Sequence, residues 1–212
     1  MTAFPAVSAS MLPPVMIEDI RALNRRYLML ARELACIDHD LMALQAGIPL
    51  QLASTMKSLS IDTMGAICAA VGNVLLPRAH WSASEWRLIL QSSSKNIKNI
   101  PAPVAMLPAS STVLPPVMIE DIRALNRRYL TLIRELSRID HDLMALQTGV
   151  PFQLASAVDS LSMDGLDAIC AAVGNVLLPR ACWSASEWRL ILQTSRKNIP
   201  TPVAILAACL AA

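Results

Sequence analysis

Residues 17–44 carry apolar side chains at alternating steps of three and four, the spacing of one face of an α-helix. A narrow stripe of this kind is buried well only against a second helix. The chain supplies that helix, because residues 119–146 repeat the pattern. We predict that the two helices pair through a seam formed by Ile20, Leu23, Tyr27, Leu30, Leu34, Ile122, Leu125, Tyr129, Leu132 and Leu136.

The region around each stripe is also repeated. Residues 12–97 align with residues 114–199 at a constant offset of 102, without a gap, and roughly four positions in five are identical. Five segments are predicted: a flexible N-terminus (1–11), repeat 1 (12–98), a linker rich in Pro, Ala and Ser (99–113), repeat 2 (114–200) and an apolar tail (201–212). At about 3 Å per residue the linker reaches roughly 45 Å, enough for the repeats to pair.

The long helix of repeat 1 is predicted at about 16–36, after two prolines that suit a first helical turn. Asp38 is a candidate N-cap for a short helix at 39–45, although the unbroken apolar spacing also fits one continuous rod. Gly47 ends either arrangement.

Further signals define the rest of the repeat. Pro49 predicts a helix at 49–58, and Ser60 caps another at 61–71. Residues 74–81 form a short extended piece, in which Pro77 permits at best an edge strand or ribbon. Ser82 and Glu85 form a capping box for a last helix at about 83–93. The predicted fold is all-α: two five-helix units, each with a short ribbon, docked through their long helices as a pseudo-twofold dimer.

Charge and hydropathy exclude little. A formal charge of +2 and an isoelectric point near 8.4 neither require nor exclude nucleic acid. Mean hydropathy is +0.46, yet prolines interrupt the uncharged stretch at 100–118 and no continuous apolar span remains. The first residues lack a basic region and a continuous apolar core, so no secretory signal is expected. We expect a soluble, cytoplasmic protein without membrane contact.

No catalytic or metal constellation is visible. The five cysteines form no CxxC pair and have no ligand spacing with the three histidines. In the triplet Asp38-His39-Asp40 neighbouring side chains point in different directions, so a capping Asp beside solvated residues is the better interpretation. With no phosphate loop or nucleophile elbow either, we predict a protein that is not an enzyme and has no metal or cofactor.

Two surfaces are candidates for binding. The helices at 61–71 and 83–93 suggest a helix-turn-helix, although a connection of roughly ten residues is long for that motif and the pair also fits an ordinary core. Candidate DNA-binding residues are Arg78, Arg87, Lys95, Lys98, Arg180, Arg189, Arg196 and Lys197. Candidate partner-binding residues are Trp81, Trp86, Trp183 and Trp188. The alternative places these tryptophans in the core, Trp86 and Trp188 above all.

The spacing of the arginines along the long helices predicts two kinds of environment. The adjacent pairs Arg25-Arg26 and Arg127-Arg128 are interpreted as part of a solvated face. Arg21 and Arg123 follow Glu18 and Glu120 by three residues, a spacing that predicts ion pairs along each helix.

Several motifs together resemble the FlhD family of flagellar transcriptional regulators. These are LNxxYLxLAxxL from Leu23, Gly47-Ile48, LAxxxxxLS from Leu52, Met64, and NVLLPRAHWS from Asn73. The resemblance covers most of each repeat. It implies a small helical protein that dimerises through long helices, joins an FlhC-type subunit and activates flagellar operons at promoter DNA. A tandem copy would then be a covalently fused dimer.

The chain departs from that family in three places. Pro77 and Pro179 stand where the family commonly has a cysteine able to link two protomers. An aromatic FRF-like segment of the family survives only as Trp81 and Trp183. The arm that contacts DNA in the family is replaced by the linker and by the tail. Two functions follow as hypotheses: a transcriptional regulator acting with an FlhC-type subunit, or an adaptor or antagonist that binds this subunit without contacting DNA.

Overall fold

The two long helices begin at prolines and end at aspartates. The computed structural model describes residues 12–91 and 114–194 and is mainly α-helical there. Helix α1 spans Pro14–Ile37 and helix α6, its counterpart, spans Pro116–Ile139. Each has proline in its first turn, where the missing N–H leaves no helical hydrogen bond unmade. The prediction of a long helix is confirmed, with its start two residues earlier than expected.

Helix α1 does not continue as a rod, because Asp38 is extended and starts a new helix. Helix α2 spans His39–Ala46, and the Asp38 carboxylate accepts the N–H of Leu41 at 2.9 Å. Gly47 ends α2 in the left-handed conformation at φ 70°. Helix α7, at His141–Thr148, repeats the arrangement. The predicted cap is confirmed and the continuous rod is wrong.

The helix predicted at 49–58 is interrupted. A 3-10 turn occupies Leu50–Leu52, and α3 follows at Ala53–Lys57. Leu52 lies at φ −100°, ψ 0°, outside helical geometry, so the two pieces do not merge. Helix α4 spans Ile61–Val71 as predicted, and the hydroxyl of Ser60 accepts the N–H of Thr63. In repeat 2 the counterparts are a turn at Phe152–Leu154, α8 at Ala155–Asp159 and α9 at Met163–Val173.

The extended pieces of the two repeats pair with each other. Strand β1, at Pro77–Ala79, runs antiparallel to β2, at Pro179–Ala181, with Arg78 opposite Arg180. Helix α5 then spans Ala83–Gln91 and α10 spans Ala185–Thr194. The capping box is reciprocal: the N–H of Ser82 donates to Glu85 at 2.7 Å, and the N–H of Glu85 donates to the Ser82 hydroxyl at 3.3 Å.

Each repeat places its last strand and helix on the other repeat. Strand β1 packs against α7 and β2 against α2, while α5 packs against α9 and α10 against α4. Helices α1 and α6 also pack against each other. Buried residues from both repeats therefore form one continuous apolar cluster. Neither repeat has a core that is separate from its neighbour.

Ion pairs join α1 to α6 in a reciprocal way. Arg26 pairs with Asp121, and Arg128 pairs with Asp19 at 3.3 Å. Because Asp121 occupies in repeat 2 the position of Asp19, both contacts are the same contact seen from opposite sides. Arg26 and Arg128 keep 41% and 48% of their side chains exposed, in agreement with a solvated face, and also pair across the repeats. The ion pairs predicted within α1 and α6 are confirmed, with Arg21 and Glu18 separated by 2.5 Å.

A fully buried asparagine holds the segment that leads into each strand. The amide of Asn24 donates to the carbonyl of Val74, and its oxygen accepts the N–H of Leu76, both at 2.8 Å. Asn126 makes the same two bonds in repeat 2. One side chain thus satisfies two buried backbone groups that no helix or sheet serves.

Candidate functional site

The ten predicted seam residues are all in the core. Each is at most 3% exposed, and Tyr27 and Tyr129 are completely buried. The hydroxyl of Tyr27 donates to the carbonyl of Ala46 in its own repeat and accepts the N–H of Ala181 from the other, the latter at 3.1 Å. Burial raises the pKa of this phenol. Tyr27 therefore connects the end of α2 to the strand of the opposite repeat.

Two of the candidate DNA-binding residues lie side by side on the ribbon. Arg78 and Arg180 are half-buried neighbours across the strand pair. Arg78 donates to the carbonyl of Leu146 near the end of α7, and Arg180 to that of Ala43 in α2 at 3.4 Å. Carbonyls at helix C-termini carry partial negative charge, which compensates the like charges of the two guanidinium groups. Both arginines thus act in joining the repeats.

Arg87 and Arg189 are placed differently, because both are exposed on the last helices of the repeats. Arg87 lines an open cavity of about 430 Å³ where α5 meets α8 and α9 of the other repeat, together with Leu161 and Gly165. The other four candidates, Lys95, Lys98, Arg196 and Lys197, lie outside the described residues. Of the predicted set, Arg87 and Arg189 are the described cations best placed to meet a polyanion.

The helix-turn-helix of α4 and α5 is not formed within one repeat. The connection between them contains β1, and α5 packs against α9 of the other repeat. Any use of α5 on DNA would therefore combine elements of both repeats.

The four tryptophans face the interior of the protein to different degrees. Trp86 and Trp188 are completely buried, and Trp183 is 7% exposed. The indole N–H of Trp183 donates to the carbonyl of Leu76 at 2.7 Å, and that of Trp81 donates to Leu178 at 2.9 Å. Trp81 is half-buried and keeps part of its ring accessible. The tryptophans thus contribute to packing within the chain, and Trp81 is the one with most surface left for a partner.

His80 is a titratable group at the edge of the ribbon. Its ring lies on that of Trp81, with centroids 4.1 Å apart. His80 remains exposed, and partial desolvation, followed by the charge of Arg180, lowers its pKa to about 4, with Glu85 acting in the opposite direction. Repeat 2 has Cys182 at the equivalent position, and a thiol takes up no proton between pH 6.5 and 4.

We expect His80 to make the fold sensitive to mild acid. The unfolded chain binds a proton to His80 near its ordinary pKa of 6.5, whereas the folded chain does so only near 4. Stability is therefore lost as pH falls from about 6.5 to 4. In urea titrations, His80→Cys, which copies repeat 2, should flatten the pH dependence in this window. An unchanged slope would contradict the prediction.

The described residues show neither a metal cluster nor a spanning helix. No three His, Cys, Asp or Glu side chains lie together as they would around a metal ion in the part of the chain that the structure describes. Over the same residues, no helix combines the length and apolar character needed to cross a membrane.

The fold and these surfaces define a mainly helical protein of two repeats that share one core. The family model described as flagellar transcriptional activator (FlhD) matches residues 11–114. Residues 11–114, which comprise repeat 1 and the linker, are therefore similar to this family of transcriptional activators. The resemblance inferred from the motifs is confirmed for that repeat. No curated protein and no solved structure matches the chain.

Proposed function

We propose that this chain is a covalently fused dimer of two FlhD-type units that regulates transcription at flagellar promoters together with an FlhC-type subunit. The family match over residues 11–114 carries the proposal. Repeat 2 is proposed as the second unit because its sequence aligns with that of repeat 1 without a gap, with roughly four positions in five identical.

Reciprocal contacts support the fused dimer. The ion pair between α1 and α6 and the indole hydrogen bond each occur twice, with the repeats exchanged. The single strand pair is symmetric, with Arg78 opposite Arg180. Such duplication is what a twofold axis between two similar units produces. The linker at 99–113 then joins the two halves of one dimer.

A second function is favoured by the arginines of the ribbon. Arg78 and Arg180 are occupied with helix carbonyls, so the described part of the candidate DNA surface reduces to Arg87 and Arg189. Two cations support only weak contact with DNA. The alternative is an adaptor or antagonist that binds the FlhC-type subunit without contacting DNA.

A gel mobility shift on flagellar promoter DNA separates the two functions. The full chain is tested alone and with the FlhC-type subunit from the same organism, and co-elution of the two proteins is measured in parallel. For a regulator we expect a shift only when both proteins are present. The shift should weaken with added salt and be lost in the double variant Arg87→Ala/Arg189→Ala.

The variant Arg21→Ala/Arg123→Ala removes the same charge from α1 and α6 and should leave the shift unchanged. Co-elution without any shift would overturn the regulator in favour of the adaptor. If the chain neither shifts DNA nor co-elutes with the subunit, both functions are refuted.

A further inference from the structure

Sequence differences between the repeats are concentrated in one region. Residues 12–91 and 114–193 differ at 15 positions, and 14 of these lie between positions 29 and 65 of repeat 1 or at their counterparts. The segments that join the repeats, namely the first half of α1 and residues 66–91, are unchanged apart from His80. Divergence therefore leaves these joining segments alone. It changes buried positions such as Met56 and Met64, and the exposed ones, which include Lys57 and Ile61, give each repeat a different outer face.

In repeat 2 this face is a strip of neutralised arginines between α6 and the helices α8 and α9. Arg138 pairs with Asp159 at 2.9 Å, and Arg127 pairs with Asp167 at 3.0 Å. Between them, Arg134 contacts the sulfur of Met163 at 3.3 Å. These three contacts place the side chains in one row between α6 and the helices α8 and α9.

The same strip of repeat 1 lacks both carboxylates. Lys57 stands in place of Asp159, Gly65 in place of Asp167, and Cys36 in place of Arg138. Arg25 and Lys57 are exposed, and no described carboxylate lies within ion-pair distance of either. Arg32 lies between them, with its Nε 3.4 Å from the carbonyl of Lys57. We define Arg25, Arg32 and Lys57 as the basic strip.

We propose that the basic strip of repeat 1 is a docking site for an acidic segment of a partner protein, and that repeat 2 does not offer this site. Three cations in a row complement carboxylates spaced along a helix or an extended segment. Ile61, which is 53% exposed, occupies the position of Met163 beside the central arginine and adds apolar contact.

A protein segment fits the strip better than nucleic acid does. Three cations are few against the six to ten phosphate contacts, on the order of those made by DNA-binding proteins. An exposed isoleucine among them has no favourable role against a phosphate backbone but suits an amphipathic peptide. The inference uses neither Arg87 nor Arg189, so it holds whether or not the chain contacts promoter DNA.

The consequence is asymmetry in an otherwise symmetric protein. In repeat 2, Asp159 and Asp167 form ion pairs with the arginines and would repel an acidic segment. The fused chain is therefore expected to bind one acidic segment, where a dimer of two identical units would bind two.

Exchanging the charges between the repeats tests this directly. The double variant Lys57→Asp/Gly65→Asp gives repeat 1 the two carboxylates of repeat 2, and Asp159→Lys/Asp167→Gly removes them from repeat 2, while Cys36 and Arg138 stay as they are. Both exchanges use residues that the other repeat already accommodates. A Cβ at Gly65 also meets no atom within 4 Å, so the fold is expected to tolerate the aspartate.

The probe is a fluorescent synthetic peptide with Glu on one helical face and Leu on the other, titrated into the full chain by anisotropy. We expect one site in the natural chain, about tenfold weaker binding after the first exchange, and two sites after the second. A peptide with Lys in place of Glu should not bind.

Three results would overturn the proposal: no binding of the acidic peptide, equal binding after the first exchange, or two equal sites in the natural chain. A short DNA duplex serves as the competing ligand. The contrary outcome is a duplex that binds the natural chain and loses affinity in Lys57→Asp/Gly65→Asp by the factor expected for the peptide. In that case the strip is a nucleic-acid site and the proposed protein partner is wrong.

Discussion

Gly47→Ala is expected to destabilise the protein by about 3 kcal/mol, because a methyl group at this position meets the other repeat. Gly47 has φ +70°, and a Cβ built there lies 2.5 Å from the carbonyl oxygen of Ala181. That oxygen belongs to β2, so the whole ribbon has to move to make room. Urea denaturation should show a lower midpoint with little change in slope.

Two further variants separate the steric cause from the backbone cause. Asparagine tolerates a left-handed conformation better than alanine does but has the same Cβ, so Gly47→Asn should also be strongly destabilising. Gly65→Ala lies in a helix with open space around it and should be neutral or stabilise by about 0.5–1 kcal/mol. Full stability of Gly47→Asn would show that only the backbone conformation matters.

Asn24→Ala is the second large effect, with an expected loss of about 3 kcal/mol. The substitution orphans the carbonyl of Val74 and the N–H of Leu76, two buried groups that each cost roughly 1–3 kcal/mol without a partner. The measurement is again the free energy of unfolding in urea. Asn126→Ala should lose a similar amount, because the same bonds occur in repeat 2.

Asn73→Ala is the matched control, since it removes the same kind of side chain from the residue next to Val74. None of the described backbone groups uses the amide of Asn73, so a change within about 0.5 kcal/mol is expected. If Asn24→Ala and Asn73→Ala have equal effects, the hydrogen bonds of Asn24 do not hold the segment at 74–76.

The candidate binding residues were recognisable as residue types but not as neighbours. The four tryptophans, and Arg78 and Arg180, are visible in the sequence because each recurs in the second repeat at the offset of 102 residues. That Arg78 lies opposite Arg180 and reaches the end of α7 depends on the crossing of β1 to the other repeat. Nothing in the spacing of one repeat indicates this crossing. The sequence does contain one indication of the crossing: the segments that cross, residues 66–91 and their counterparts, are identical in the two repeats apart from His80.

Local interactions explain what the sequence determined by itself. Helix ends depend on hydrogen bonds and backbone angles within a few residues. This holds for the starts marked by Pro14, Asp38 and Ser60 and for the end at Gly47. The apolar stripes likewise identified the core faces of α1 and α6, because a helix turns through a fixed angle per residue.

Only the tertiary structure decided which surfaces the elements bury. Asn24 is a polar residue inside an apolar stripe, and its role appears only when the segment at 74–76 lies against it. Arg26 finds Asp121 across the repeats, 95 residues away in the chain. Such contacts depend on which of two nearly identical halves a strand and helix pack against. That choice depends on the apolar area buried by the whole chain and on the geometry of its loops. A local sequence pattern contains no information on either.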